Sequence, residues 1–180
     1  MVYMLLGTGF EETEAIAPLD LLRRANIEVM TAGIGSDHIT GGHGITIKTD
    51  ITVKQIDLTN LDMVVLPGGL GGVASISGSK EALDVIRFAH SNGKFLAAIC
   101  AGPTVLAKLG LMDGIKATCY PGCEEQMAGA VMIPDAPCVT DGKIITGTSA
   151  GCAIPFGLAL IRALKGDEIA GLIGRQIVIR

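Results

Sequence analysis

The residue with the most chemistry to offer is Cys100, set in the string A-I-C-A-G-P at 98–103. A hydrophobic run leads into it and small residues follow, so a strand enters and a helix leaves. Such a turn presents one side chain at its apex, as in a nucleophile elbow. Pro103 suits the first turn of the departing helix, where a missing amide costs nothing. A thiol at a helix N-terminus feels the positive end of the dipole, which predicts a lowered pKa and an exposed, reactive sulfur. The competing reading is the ordinary fate of cysteine, burial as an inert small hydrophobe.

A nucleophile needs an oxyanion site and a proton acceptor. Gly68-Gly69 offers amides with no side chain in the way, and with the amide of Ala101 it could form an oxyanion hole. The plainer reading of the pair is a tight turn. Gly7-Thr8-Gly9 is no phosphate loop, because Glu11 and Glu12 follow it and would repel a pyrophosphate. The acids Glu11, Glu12 and Glu14 suit a helix start, with at most one expected to point inward. Glu14 is the candidate, since Pro18 frees its carbonyl. A carboxyl beside a thiolate can share its proton and serve as general acid and base. The alternative is a solvated acidic face. Of the histidines, His90 reads as solvated, and His38 and His43 lie in a Gly-rich segment. A Cys-His dyad would need His43 to fold over the site.

The remaining composition narrows the classes. Five cysteines (100, 119, 123, 138, 152) form no CxxC pair, and Met1-Val2-Tyr3 leads into a strand with no basic signal region. Reduced thiols and a cytoplasmic location are expected. Cys119 and Cys123 have no His or second pair nearby, so neither a zinc site nor a cofactor is expected. The net charge is −4, with no basic run, two Tyr, four Phe and no Trp, which argues against nucleic acid. Hydrophobic residues make up 49% and mean hydropathy is +0.51. Apolar runs such as Met63–Leu66 and Phe95–Cys100 are far too short to cross a bilayer.

The elements that must position these groups alternate in type. Strands are expected at 2–6, 27–32, 62–66 and 94–99, and helices at Glu11–Ala25, 80–91 and 102–109. Pro18 should bend the first helix. A Gly-rich edge hairpin is expected over 33–49, a strand at 115–119, a hairpin over 131–146 around Asp141-Gly142, and a helix at 153–164. The alternation implies one α/β domain, residues 1–180, with a mostly parallel sheet covered by helices on both faces. Ligands of such sheets sit beyond the carboxyl ends of the strands. Gly7–Glu12, Pro67–Gly69, Cys100–Gly102 and 147–151 all fall there.

The strings G-F-E-E-T-E-A-I-A-P-L-D-L-L-R-R-A (9–25), V-V-L-P-G-G (64–69) and A-A-I-C-A-G-P (97–103) closely resemble the ThiJ/PfpI superfamily. Within it they resemble the subgroup of the parkinsonism-associated protein deglycase, many of whose bacterial relatives are labelled 4-methyl-5(β-hydroxyethyl)-thiazole monophosphate biosynthesis proteins. The resemblance implies a flavodoxin-like three-layer sandwich and a homodimer. It also implies a nucleophilic, oxidation-sensitive Cys100, an acid partner at Glu14, and oxyanion amides at Gly69 and Ala101. Implied activities are glutathione-independent glyoxalase, deglycase, and redox-sensing chaperone. C-A-G in place of C-H-G separates the chain from the protease-like branch, so no peptidase is expected. Three positions depart from the pattern: Tyr120 stands where the subgroup often has His, Thr148 where it has Arg, and His43 where it often has Arg.

Two readings follow. In the first, Cys100 attacks a small aldehyde or a glycated adduct while Glu14 moves protons. In the second, the protein is a non-enzymatic redox sensor or chaperone in which Cys100 oxidises to a sulfinate. A thiamine-pathway role rests on the inherited label, with no thiazole-specific feature in the chain. The apolar residues Ile16, Leu19, Leu21 and Leu22 spread around the Glu11–Ala25 helix and suggest it as a dimer contact.

Overall fold

The first strand, β1 (Val2–Leu6), is buried at all five positions, as a run of large aliphatics must be inside a helix-covered sheet. It leads into α1 (Glu12–Arg24), then β2 (Val29–Gly33), a small hairpin of β3 (His38–Thr40) and β4 (Thr46–Lys48), and the short β5 (Ile51–Thr52). Next come β6 (Met63–Leu66), α2 (Leu70–Gly78), α3 (Lys80–Ser91), β7 (Phe95–Ile99) and α4 (Pro103–Lys108). The chain closes with β8 (Lys116–Ala117), β9 (Val131–Met132), β10 (Cys138–Asp141), β11 (Ile144–Gly147) and α5 (Ala153–Gln176). This computed structural model describes residues 1–179.

Seven strands form one sheet in the order β10-β11-β7-β6-β1-β2-β5. All pairs are parallel except the edge pair β10–β11. Alternate residues of each strand feed opposite faces. Tyr3, Leu5, Val64, Leu66, Leu96 and Ala98 pack with residues of α2, α3 and α4. Met4, Leu6, Met63, Val65, Ala97 and Ile99 pack with α1 and α5. The result is the expected flavodoxin-like three-layer sandwich. Cys100 touches both cores, so it sits on the rim where the two layers meet.

Several local expectations change. Helix α1 runs unbroken through Pro18. The 33–49 segment does form a hairpin, but β3–β4 stands apart from the main sheet, whose edge is β5. The strand expected at 115–119 shrinks to β8, paired only with β9. Helix α2 goes unforeseen because its Gly- and Ser-rich sequence, L-G-G-V-A-S-I-S-G, has a poor intrinsic helix preference. The Asp141-Gly142 turn does join β10 to β11, with Gly142 at φ 56. Helix α5 outruns its expected end and breaks at Gly166 (φ 83, ψ 174), a conformation open to glycine.

The apolar surplus on α1 is mostly used within the chain. Leu19, Leu21 and Leu22 are buried, and only Ile16, at 43% exposure, faces outward. Their partner is α5, which approaches closely at Gly157, where a Cβ would lie 2.7 Å from Leu21 Cδ1 and 3.1 Å from Pro18 Cα. Among the described residues no helix is long and apolar enough to cross a membrane.

Candidate active site

Cys100 closes β7 with φ +64, a left-handed conformation that costs a residue with a Cβ about 1–2 kcal/mol. The surroundings enforce it. Cys100 N–H donates to Gly147 O at 2.9 Å, its carbonyl accepts from Tyr120 N at 2.8 Å, and Gly102 N–H donates to Ile99 O at 2.9 Å. Gly102 permits the turn, since a Cβ there would stand 2.7 Å from Leu66 O. Strain that is over-determined by neighbours in this way is the mark of a presented functional group.

Opposite the thiol lies Glu14 on the first turn of α1, 1% exposed. Gly68 N–H donates to its Oε2 at 2.8 Å, while buried Oε1 has no hydrogen-bond partner. Gly68 sits between the two reactive groups: a Cβ on it would meet Glu14 Oε2 at 2.5 Å, Cys100 Cβ at 2.6 Å and Cys100 Sγ at 3.1 Å. Burial pushes the Glu14 carboxyl up to about 7, against the hydrogen bonds from Cys100 and Gly68 that pull it down. Burial and the charge of Glu14 push the thiol up to about 12, against the amides of Ala101 and Gly69 that favour thiolate.

Burial and the neighbouring carboxylate work against the expected lowering of the thiol. The sulfur is half-buried, and α4 is only six residues long, too short for its dipole to outweigh desolvation and a neighbouring carboxylate. Near neutral pH the sulfur keeps its proton and the carboxyl exchanges its own, so the pair carries one proton when Glu14 is ionised and two when it is not. Such a pair generates thiolate during attack, as the carboxylate accepts the proton, rather than storing it beforehand.

The turn after β6 supplies the donors. Gly69 has φ +83, and a Cβ there would lie 2.4 Å from Gly9 O and 2.6 Å from Glu11 N. Only glycine fits, and its amide and that of Ala101 favour the thiolate form of Cys100. Cys100, Glu14, Gly69 and Ala101 therefore converge.

The other candidates stand further out. His43 does not fold over the thiol. Its Nδ1 and backbone N–H hold Glu12 at 2.9 and 2.8 Å, and its side chain is 74% exposed. Tyr120 meets Cys100 through its backbone, with a half-exposed ring. Thr148 bonds to Thr118 Oγ1 and the carbonyl of Ala136, which pins the loop before α5. All five cysteines are unpaired.

Two acids turn inward, not one: Glu12 is 6% exposed. Glu11, Glu12 and His43 bring one donor atom each within 4.8 Å of one another. Those atoms are committed, Glu12 to His43 and Glu11 Oε2 to the Glu14 N–H as the helix cap. Sequence reasoning missed Gly68 as the direct partner of Glu14. The doubled glycine was the available signal, but it could not say which amide faces the carboxyl.

Residues 1–163 match the family model described as DJ-1/PfpI family. A curated relative, protein dj-1beta of Drosophila melanogaster, is 36% identical over 178 residues, covering 98% of this chain and 95% of its own. A deglycase of Pyrococcus horikoshii is 35% identical over 146 residues, 81% of this chain and 87% of its own. The crystal structure of Drosophila melanogaster DJ-1beta superposes with a TM-score of 0.95 at 35% identity, covering 99% and 97% of the two chains.

Proposed function

Because the chain belongs to the DJ-1/PfpI family, we propose that it is a cysteine-dependent enzyme of deglycase or glyoxalase type acting on small reactive carbonyls, with Cys100 as nucleophile and Glu14 as general acid/base. The observation that carries this reading is the buried Glu14 carboxyl, half-partnered, beside a strained thiol. The similarity to a deglycase supports the substrate class.

The sulfur attacks the aldehyde carbon. A C–S bond forms, the carbonyl π electrons move to oxygen, and the thiol proton passes to Glu14. The amides of Gly69 and Ala101 hold the oxyanion, and Glu14 returns the proton to give a hemithioacetal. For an α-oxoaldehyde, Glu14 then takes the C1 proton to give an enediol, the C1 hydroxyl proton passes to the C2 oxygen, and Glu14 delivers its proton to C2, leaving a thioester of the 2-hydroxy acid. Water cleaves the C–S bond, releases the hydroxy acid and restores the thiol. In deglycation the hemithioacetal or aminocarbinol adduct first collapses, releasing its thiol or amine and regenerating the aldehyde, which Cys100 then attacks in the same way.

The redox-sensor reading uses the same thiol but draws on a standing thiolate, and burial works against one. A homodimer belongs to the present reading. Its remaining support on α1 is Ile16 beside Ile154, Ile177 and Ile179 in an apolar groove of about 500 Å³. Light scattering at micromolar protein tests it, and a monomer mass refutes it.

Methylglyoxal turnover by wild type and Cys100→Ser tests the activity. Turnover that falls at least about 10³-fold in the variant is expected for loss of a nucleophile. Equal rates, or no turnover in either, would sink the proposal.

A further inference from the structure

Gly68 and Glu14 come from different parts of the fold, the turn after β6 and helix α1, yet the reaction needs them in register to a fraction of an ångström. One residue touches both. Glu11 N–H donates to Gly68 O at 3.0 Å, and Glu11 Oε2 accepts from Glu14 N–H at 2.8 Å. Gly69 packs directly on the same amide, since a Cβ there would meet Glu11 N at 2.6 Å. Resting on the Cys100–Glu14 chemistry above, we propose that Glu11 is a positioning residue for the reaction: its backbone fixes the oxyanion turn, its carboxylate fixes Glu14, and its charge biases the shared proton toward Glu14.

The charges around the pair are few. Glu14 faces Cys100 from the elbow and Glu11 from its own cap. Glu11 in turn faces Glu12 and His43. Those two form an ion pair while His43 is protonated; His43 offsets Glu11 as well, yet Glu11 still pushes on the Glu14 carboxyl. Burial is the larger reason Glu14 holds its proton, and Glu11 pushes the same way. A carboxylate that stores a proton near neutrality can both accept the thiol proton and give it back. Glu11 thus joins geometry to proton affinity without touching the substrate.

The test reads Cys100 directly. The rate of Cys100 alkylation by iodoacetamide, followed by mass spectrometry against pH, should rise as Glu14 ionises and becomes able to accept the thiol proton. Glu11→Gln keeps an oxygen for the Glu14 N–H and removes only charge. Its midpoint should fall by about 0.5 pH unit, the effect of one partly exposed charge a few ångströms away, while Tm stays within about 2 °C. Glu11→Ala also removes the cap oxygen, and kcat for methylglyoxal should fall about tenfold with KM within about twofold. An unmoved midpoint in Glu11→Gln overturns the charge role, and a wild-type kcat in Glu11→Ala overturns the positioning role.

If Glu11→Gln fails to fold, salt replaces it. Raising NaCl from about 0.05 M to about 0.5 M screens a half-exposed charge and should lower the wild-type midpoint; no movement again overturns the charge role. The outcomes also separate Glu11 from the wider reading. A wild type that shows the alkylation profile but leaves methylglyoxal intact ends the carbonyl reading and leaves the role of Glu11 standing. Turnover without the profile does the reverse.

Discussion

Glu12 and Glu14 lie two residues apart on one helix, both buried, and their carboxyls are driven in opposite directions. Burial raises both. At Glu12 the ring and backbone N–H of His43 and the N–H of Ile45 overcome it, and the carboxyl ends below its ordinary value. At Glu14 one backbone donor and the thiol are not enough, and burial wins, to about 7. The first region satisfies its charge and becomes a fastening for the 41–45 loop. The second leaves an oxygen without a partner and keeps a movable proton. Surface exposure does not separate structural from chemical carboxylates here; Glu14 lies deeper and has fewer donors.

The largest expected effect breaks this contrast by exchanging charge for amide at each site. Glu14→Gln removes the proton acceptor and should cut methylglyoxal turnover about 10³-fold. Glu12→Gln should leave turnover within about threefold, because that side chain faces the 41–45 loop and not the sulfur. Steady-state kinetics on the two variants checks this, and equal losses would erase the distinction. Gly68→Ala comes next. Its Cβ would collide with both Glu14 and Cys100, so the pair must part by a large fraction of an ångström, and kcat should fall about 10²-fold.

Stability against pH sharpens the comparison, since the two shifts have opposite signs. The Glu14 carboxyl is raised, so its contribution is fully present below its ordinary value of 4.5 and is lost as pH rises through about 7. The Glu12 carboxyl is lowered, so its contribution is present above 4.5 and is lost as pH falls through its folded value. For Glu14 the change amounts to at most about 3 kcal/mol. Thermal midpoints from pH 4 to 8 should therefore decline toward neutrality in wild type. That decline should flatten in Glu14→Gln, and Glu12→Gln should flatten only the acid side. A wild-type midpoint that rises through pH 5–7 contradicts the assignment.

The sequence made the sheet and the elbow legible because their signals are local. Strand β7 followed by Cys-Ala-Gly-Pro reads directly as strand, turn and helix start, and buried parallel strands such as β6 appear as unbroken aliphatic runs. What it hid depends on distance. Glu12 turns inward onto a loop some thirty residues away and Glu14 onto Gly68, farther still along the chain, and nothing in E-E-T-E records that both do. The thiol environment was misjudged for a related reason: the dipole rule is local, while the burial and the carboxylate that outweigh it come from other elements. Helix α2 was missed because packing on β1 and α3, not propensity, holds it.

The smallest expected effect falls on the fastening side. His43→Ala removes an exposed ring from Glu12 but leaves the backbone N–H groups of His43 and Ile45 in place. Turnover should stay within about twofold, since the site keeps Glu14, Gly68 and the amides around the sulfur. The readable change is in the loop, where amides of 41–45 should exchange a few times faster as part of a local fastening is lost. The sign with pH is fixed by the pair itself. His43 is raised above its ordinary 6.5 by its hydrogen bond to Glu12 and by that carboxylate's charge, so the pair's contribution is full below 6.5 and fades as pH rises through the folded value. Corrected for the intrinsic rate, the difference between variant and wild type should shrink on going from pH 6 to pH 9. A difference that persists unchanged at high pH would mean that the ring holds the loop by packing, and the contrast between Glu12 and Glu14 would then lose its electrostatic half.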